Sequence, residues 1–368
     1  MKAAKLLPFV KETGVKDMKK TQIIYMDPSR IDGDKLAHPA KLLREGATVV
    51  FPTETVYGLG ANALSKEAVG KIFVAKGRPS DNPLIVHIAE RCELEALVSD
   101  VPEAAEALMA VFWPGPLTMI LRKSDSVPEI VTAGLDTVAV RMPSHPLANK
   151  LIKMAGVPVA APSANLSGKP SPTREEHVLK DLFGKVDCIV CGGETAVGLE
   201  STVLDVTGQV PVILRPGGVT RDQIASVAGA CEIDEALLKS DSPLVPKSPG
   251  MKYTHYSPDA DVFMAGGSEA EMVSSILREA AERKSKGQKV GILATDENAK
   301  SYDGCEVILL GSRQRPEEIA SRLFMALRLF DEMKMDVILS ETIEEEAIGR
   351  AVMNRLKKAA GNRWIERK

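Results

Sequence analysis

Residues 76–87 have the composition of a binding segment for a charged ligand. They read Lys-Gly-Arg-Pro-Ser-Asp-Asn-Pro-Leu-Ile-Val-His, and each proline disfavours helical geometry for the residue before it. In an extended chain every second side chain points to the same side, which predicts one shared face for Lys76, Arg78, Ser80 and Asn82. Two cations, a hydroxyl and an amide on one face suit a polyphosphate. An exposed loop with incidental charge is an equally good interpretation of the composition alone.

Two glycine-containing segments, each directly after a predicted strand, are further candidates. Residues 52–60 read Pro-Thr-Glu-Thr-Val-Tyr-Gly-Leu-Gly, and residues 160–168 read Ala-Ala-Pro-Ser-Ala-Asn-Leu-Ser-Gly. Ligand sites of α/β proteins gather at the ends of strands, and glycine lets a ligand approach the backbone closely. In the second segment Ser163 and Asn165 repeat the two-residue spacing. A tight turn explains the first segment equally well, and a plain loop explains the second.

Single polar residues at the ends of other predicted strands could complete such a site. Arg141 follows the strand 138–140 and could neutralise a carboxylate, although a surface ion pair is the alternative. Ser201 belongs to the run Gly-Leu-Glu-Ser-Thr-Val at 198–203, and Arg215 belongs to Leu-Arg-Pro-Gly at 214–217. His87 ends an apolar run, where a lone histidine is more often a structural residue than part of a cavity floor.

The chain lacks the short motifs of several catalytic classes. It contains no His-Glu-x-x-His, no Gly-x-Ser-x-Gly and no Gly-x-Gly-x-x-Gly dinucleotide fingerprint. No cysteine lies in a recognisable nucleophile context. The polar residues therefore favour the binding and orientation of charged substrates over covalent catalysis.

The five cysteines indicate free thiols, because their number is odd and they are widely spread along the chain. Cys188 and Cys191 form one Cys-x-x-Cys pair, but a structural zinc site needs a second pair at similar spacing. The apolar run at 186–191 instead predicts a buried strand. Free thiols fit a reducing compartment, so we expect a cytoplasmic protein.

The length of 368 residues predicts about two domains. Residues 1–20, with six lysines and no long apolar core, predict a flexible leader and not a secretory signal. Alternating helices and strands predict an α/β domain at 21–239 and a smaller one at 259–368. The proline-rich residues 240–258 predict a linker between them, and the aromatic and basic residues of this linker suit a lid.

Local signals predict where several helices of these domains begin and end. The first helix is expected over 32–45, closed by Gly46. Pro316, followed by two glutamates, predicts the start of a long helix in the second domain. The last helix is expected from Glu345 to Ala360.

Charge and hydropathy exclude some classes of partner. The net charge of −3 gives no global attraction to nucleic acid, although local basic clusters could still bind a small polyanion. The longest apolar runs, such as 158–162 and 337–339, are far too short to span a membrane. We therefore expect weak or no direct RNA binding and no membrane partner.

Several of these segments together resemble the threonylcarbamoyl-AMP synthase family, whose catalytic module is the YrdC-type domain. The matching runs lie at 52–60, 76–84, 161–168 and 200–203. The run Ser-Pro-Gly-Met-Lys-Tyr-Thr-His-Tyr-Ser-Pro at 248–258 is distinctive of the longer, two-domain form. Neither the leader nor the Cys-x-x-Cys pair belongs to the resemblance.

The resemblance implies an α/β fold: a twisted YrdC-like domain around a large positive cavity, followed by a small Rossmann-like domain. It implies an L-threonylcarbamoyladenylate synthase, a nucleotidyltransferase that uses L-threonine, bicarbonate and ATP. The product would pass to a tRNA threonylcarbamoyl-transferase complex for the t6A modification of adenosine 37 in tRNAs that read codons starting with A. Mg²⁺ would enter with the ATP phosphates and would have no protein ligands.

The resemblance also implies which residues bind each substrate. The implied ATP-binding residues are Lys76, Arg78, Ser80, Asn82, Thr137, Ser163, Ser171, Arg215 and Tyr256, with Lys76 and Arg78 catalytic. The implied threonine-binding residues are Thr55, His87, Arg141, Ala161 and Ser201.

Two other functions fit parts of the pattern. A double-stranded RNA-binding or ribosome-associated module could use a basic concavity without catalysis, but it would need a broad basic face. A related carbamoyl-adenylating enzyme could act on a different carbamate, and its activity would not depend on threonine.

Overall fold

The computed structural model describes residues 19–234, 237 and 256–366. The predicted leader lies outside the described residues except for its last two. The predicted linker lies outside them except for 256–258, so the interpretation of this segment as a lid falls largely on residues that are not described.

The strands between residues 22 and 233 form one mixed sheet of eleven strands within the described chain. They are β1 (Gln22–Tyr25), β2 (Val49–Phe51), β3 (Gly58–Asn62), β4 (Ile85–His87), β5 (Leu117–Arg122), β6 (Thr137–Arg141), β7 (Val159–Ala160), β8 (Cys188–Cys191), β9 (Thr202–Asp205), β10 (Val212–Arg215) and β11 (Glu232–Ile233). Their order across the sheet is β1-β8-β2-β3-β7-β4-β6-β5-β9-β10-β11. Some neighbouring strands are parallel and others are antiparallel. Because the strand order does not follow the chain, strands from distant parts of the sequence are neighbours, and their ends lie close together.

Helices cover this sheet and end at local sequence signals. They are α1 (Gly33–Arg44), α2 (Lys66–Lys76), α3 (Glu103–Phe112), α4 (Glu129–Thr132), α5 (Pro146–Ala155), α6 (Glu175–Leu182) and α7 (Arg221–Ala228), with a 3-10 turn at Arg91–Ala96. Asp32 caps α1, because its carboxylate accepts hydrogen bonds from the backbone of the first turn. Gly77 ends α2 in left-handed geometry, with φ of 59°.

The Cys-x-x-Cys segment is the buried strand that its apolar sequence predicted. β8 pairs in parallel with β1 on one side and with β2 on the other, and all of its residues are buried. Burial raises the pKa of the Cys188 and Cys191 thiols to about 12. Both thiols are therefore protonated at neutral pH and belong to the core.

Residues 256–366 form a second α/β domain around a four-stranded parallel sheet. Its elements in chain order are β12 (Asp261–Ala265), α8 (Glu269–Ser285), β13 (Val290–Ala294), a 3-10 helix (Asp296–Tyr302), β14 (Glu306–Leu309), α9 (Pro316–Glu332), β15 (Val337–Glu341) and α10 (Gly349–Ala359). The strand order is β12-β15-β13-β14. This architecture confirms the predicted fold class. The last helix begins later than predicted, at Gly349, because the chain first turns at Ala347, where φ is 43°.

The two domains share an apolar cluster. Val56 and Leu199 of the first domain are buried in the same cluster as Phe324 of α9. At Gly198 a Cβ atom would lie 2.4 Å from the Cα of Ser321, so only glycine permits this close approach. Among the described residues, no helix combines the length and apolar character needed to cross a lipid bilayer.

Candidate substrate-binding cavity

A cavity lies in the first domain, next to the second. Its wall combines β3 and the loop before it, the end of α2, β4, the end of β6, the loop after β7, residues 200–201 and the end of β10. The predicted site residues in its lining are Thr55, Lys76, Arg78, His87, Arg141, Ala161, Ser163, Ser201, Arg215 and Tyr256. The structure therefore brings the candidate segments together in one concave site.

Lys76 reaches the cavity from a helix and not from an extended chain. It is the last residue of α2, so the predicted alternation over 76–82 is wrong. The helix continues to this point because Gly77, and not the later prolines, ends it. The Lys76 ammonium donates to the backbone carbonyls of Ser163 and Asn165, the latter at 2.5 Å. Burial, and then the neighbouring Arg78, hold the pKa of Lys76 well below its usual range.

The loop after α2 separates the other three residues of the predicted face. Arg78 lines the cavity and donates to the carbonyls of Asn82 at 3.4 Å and Pro83 at 3.3 Å. Ser80 lies in an exposed turn, and the Asn82 side chain is buried. Neither Ser80 nor Asn82 is part of the cavity lining, because the chain turns at residues 80–81.

Arg141, at the end of β6, is fixed by several partners. Its Nη1 donates to Oγ1 of Thr55 at 2.9 Å, and its Nε donates to the Gly115 carbonyl at 3.2 Å. Its Nη2 lies 2.7 Å from a carboxylate oxygen of Glu54, although no N–H is directed along that line. The contact is therefore an ion pair. Arg141 is a buried cation on the cavity wall, and the surface ion pair considered from the sequence is excluded.

His87 is both buried and part of the cavity lining. Its Nδ1 lies 3.3 Å from the carbonyl oxygen of Ile85. Burial, and then the positive charge of Arg141, lower the pKa of the His87 imidazole to about 3. The ring is therefore neutral at physiological pH, so it can accept or donate a hydrogen bond without adding charge.

Ser201 and Arg215 form a second polar group on the wall. The Arg215 guanidinium donates to the Ser201 carbonyl through Nη2 at 3.0 Å and through Nε at 3.2 Å. The Ser201 hydroxyl lies 2.8 Å from Oγ1 of Thr118 on β5. β9 and β10 are antiparallel neighbours, so the start of one strand lies beside the end of the other.

The remaining predicted residues lie at different distances from the cavity. Ser163 lines it, and its hydroxyl donates to Oδ1 of Asn165 at 2.5 Å. Ser171 is buried behind the wall and donates to a carboxylate oxygen of Glu200 at 2.5 Å. Thr137 begins β6, four residues before Arg141, and does not line the cavity.

Sequence reasoning missed two carboxylates at this site. Glu200 lines the cavity, and Glu54 lies behind Arg141. Both are in the segments that the sequence singled out, but neither was among the predicted site residues. For each, burial alone would raise the pKa, whereas neighbouring arginines lower it below its ordinary value. Both carboxylates are therefore ionised and fix cations in place.

No cluster of three or more histidine, cysteine, aspartate or glutamate side chains suited to a metal is found in residues 19–234, 237 and 256–366. Within the part of the chain that the structure describes, four basic side chains line the cavity: Lys76, Arg78, Arg141 and Arg215. The arrangement suits a polyanionic ligand held by cationic donors, backbone amides and hydroxyls.

Two family models match this chain. The first is described as "Telomere recombination" and covers residues 41–217, and the second is described as "Threonylcarbamoyl-AMP synthase, C-terminal domain" and covers residues 219–361. The threonylcarbamoyl-AMP synthase of Pyrococcus abyssi is 52% identical over 337 residues, which is 92% of this chain and 97% of the relative. The protein of the same name from Bacillus subtilis is 53% identical over 332 residues, or 90% of this chain and 94% of the relative.

A solved structure agrees over both domains. The crystal structure of P. abyssi Sua5 complexed with L-threonine is 51% identical and superposes with a TM-score of 0.90. The superposition covers 95% of this chain and 100% of that one. From its sequence and its fold, the chain belongs to the threonylcarbamoyl-AMP synthase family.

Proposed function

We infer that this chain is an L-threonylcarbamoyladenylate synthase, a nucleotidyltransferase that makes threonylcarbamoyl-AMP and pyrophosphate from L-threonine, bicarbonate and ATP. The observation that carries the inference is the cavity lined by four cations, a neutral imidazole and several hydroxyls. A triphosphate and an amino-acid carboxylate in one buried space need fixed positive charge nearby.

L-Threonine is assigned to the wall around Arg141. The guanidinium would pair with its carboxylate, and the hydroxyls of Thr55 and Ser201 would supply polar contacts. Neutral His87 would accept or donate a hydrogen bond on the same side, and Ala161 would contribute backbone contacts. Arg141 is held in place before the substrate arrives, which lowers the entropic cost of binding.

ATP is assigned to the other polar residues of the site. Lys76 and Arg78 would contact the phosphates, and Ser163, Ser171, Arg215 and Tyr256 would help hold the nucleotide. The ammonium of Lys76 is now bonded to carbonyls, and phosphate oxygens would offer it stronger, charged acceptors. Ser80, Asn82 and Thr137 stay predicted contacts of ATP that do not line the cavity in this conformation.

The reaction needs no protein nucleophile. The amine of threonine attacks the carbon of bicarbonate, and water leaves to give N-carboxy-threonine. A carbamate oxygen then attacks the α-phosphorus of ATP in line, and pyrophosphate leaves with the electron pair of the broken P–O bond. The cavity would act by positioning the two substrates and by stabilising charge that develops on the phosphates.

Mg²⁺ is proposed to enter as part of the MgATP substrate. A closed cavity would also protect the carbamate and the mixed anhydride from hydrolysis. The product is proposed to pass to a tRNA threonylcarbamoyl-transferase complex in the cytoplasm, for the t6A modification.

The test is release of pyrophosphate by the purified chain with ATP, Mg²⁺ and bicarbonate, assayed separately with each of the twenty amino acids. L-Threonine is expected to give the highest rate, together with threonylcarbamoyl-AMP detected by mass spectrometry. Equal turnover without threonine would contradict the assignment. A tight, saturable complex with an RNA duplex at physiological salt would favour the RNA-binding alternative instead.

A further inference from the structure

Glu200, on the wall of the cavity, has its ion-pair partner in the second domain. Arg355 lies on α10 with its side chain fully buried, and its Nε donates to Oε2 of Glu200 at 2.9 Å. The same guanidinium donates through Nη1 to the carbonyl of Pro216 at 2.6 Å. Because Pro216 follows Arg215, one side chain of the second domain holds two segments that carry cavity residues.

The Glu200 carboxylate in turn holds two groups assigned to the nucleotide. Ser171 donates to Oε1 at 2.5 Å, and the Tyr256 hydroxyl is also hydrogen-bonded to this carboxylate. The Arg355 guanidinium lies 5.9 Å from the centre of the Tyr256 ring. A contact formed by the second domain therefore affects the position of two lining side chains, Glu200 and Tyr256, and of Ser171 behind them.

A negative charge on this wall would oppose the proposed substrate. Burial alone would raise the pKa of the Glu200 carboxyl, but Arg355, followed by Arg215, lowers it, so the group is ionised. Without the cation at position 355, this charge would face the phosphates of ATP with less compensation. Water and salt screen such a repulsion weakly inside a buried cavity.

We propose that Arg355 is a positioning residue for ATP: it neutralises Glu200 and fixes Ser171 and Tyr256, so that the second domain completes the nucleotide site. The inference rests on the proposed function, since ATP is the ligand in question. It assigns to the second domain a part in substrate binding, through a residue that does not line the cavity itself.

A second ion pair between the domains provides a matched control. Arg328 on α9 is also buried, and its Nη2 lies 2.7 Å from a carboxylate oxygen of Asp181. Neither residue lines the cavity. Loss of Arg328 should therefore weaken domain docking without exposing a charge on the cavity wall.

The test measures the Kd of MgATP by calorimetry for the full-length chain and its variants. Arg355→Met is expected to weaken ATP binding about tenfold or more, while L-threonine affinity changes by less than about twofold. In the double variant Arg355→Met/Glu200→Gln the opposing charge is absent, so ATP affinity should return to within about threefold of Glu200→Gln alone. Arg328→Met should lower the Tm and leave ATP affinity within about threefold of the wild type.

Several outcomes would overturn the proposal. A double variant that binds ATP no better than Arg355→Met would show that Arg355 acts only in docking, and so would an equal loss in Arg328→Met. If Arg355→Met does not fold, the ATP affinities of Arg355→Gln and Arg355→Lys are compared instead, because only lysine keeps the positive charge. Equal ATP affinity in these two variants would refute the neutralisation of Glu200 by Arg355. A wild-type chain that binds no ATP would overturn the proposed function itself.

Discussion

The guanidinium of Arg141 lies 2.7 Å from the carboxylate of Glu54, and both side chains are buried. The Nη1 and Nε groups of the same guanidinium donate to Thr55 and to the Gly115 carbonyl. Only a planar fork can contact these three partners from one position. The ion pair therefore fixes a cation at the wall assigned to threonine before any substrate binds.

Arg141→Lys is expected to raise the Kd of L-threonine about tenfold or more, or roughly 1.4 kcal/mol. An ammonium group cannot hold Thr55 and Glu54 and also pair with a carboxylate. Calorimetric titration with L-threonine measures the change, and ATP affinity should stay near that of the wild type. Arg122→Lys, at an exposed position on the neighbouring strand β5, is the control. Unchanged threonine affinity in the Arg141 variant would contradict the assignment.

Lys76 gives a prediction about proton uptake. Burial and the nearby Arg78 hold its pKa well below the usual range in the ligand-free cavity, and phosphate anions beside it would raise that pKa. ATP binding at alkaline pH is therefore expected to take up a proton. Calorimetry in two buffers that differ in ionisation enthalpy measures the uptake.

Lys76→Met should abolish this uptake and cost about 2–4 kcal/mol of transition-state stabilisation, measured as kcat/KM. The control is Lys71→Met, on the exposed side of the same helix, where the ammonium also donates to a backbone carbonyl. Proton uptake that persists in Lys76→Met would assign the proton to another group.

Helices and strands of this protein could be predicted closely because their signals are local. β8 follows from its apolar run, and α9 begins at Pro316 because proline suits the first turn of a helix. The candidate segments follow predicted strands, where ligand sites of α/β proteins gather, and the structure does bring these segments together in one cavity. Each of these inferences needs only neighbours along the chain.

The arrangement of side chains at the site could not be predicted in the same way. Glu200 and Arg355 are separated by 155 positions, and no local pattern indicates that they meet. The prediction of one shared face over 76–82 was wrong because it assumed extended geometry for the whole segment on the basis of two prolines. The extent of α2 depends instead on packing of its buried residues, among them Ile72 and Phe73, and on the left-handed geometry of Gly77.

Two buried histidines predict how stability depends on pH. Burial lowers the pKa of His87 and His177 to about 3, with further contributions from Arg141 and Arg328 respectively. An unfolded chain binds a proton at each near pH 6.5, whereas the folded chain does not. The free energy of unfolding should therefore fall as the pH decreases from about 6.5 to 5, by up to about 1.4 kcal/mol per pH unit for each histidine.

Urea unfolding at pH values between 5 and 7 measures this dependence. His177→Gln is expected to reduce the slope, since one titrating group is then absent from the unfolded state. Equal slopes in wild type and His177→Gln would show that His177 is protonated to the same degree in both states.

Tyr256 combines packing with a polar contact, and two substitutions separate them. Its ring lies 5.0 Å from that of Phe324 between centroids, and its hydroxyl is bonded to Glu200. Tyr256→Phe should keep the Tm and weaken ATP binding by about 1 kcal/mol, or roughly fivefold. Tyr256→Ala should also cost about 3–5 kcal/mol of stability, because it leaves a cavity. An unchanged Kd of ATP in Tyr256→Phe would show that the hydroxyl plays no part in binding.

Truncation after residue 235 tests how far the first domain depends on the second. The first domain has core clusters of its own, so the shortened chain is expected to fold, as judged by near-ultraviolet circular dichroism. It would expose Val56 and Leu199, which α9 otherwise helps to bury, and apolar surface of this kind favours self-association. It would also leave Glu200 without Arg355. We therefore expect kcat/KM for pyrophosphate release to fall by at least about tenfold, with the larger effect on the KM for ATP. A monomeric fragment with full activity would show that activity requires neither the burial of this apolar surface by the second domain nor the positive charge of Arg355.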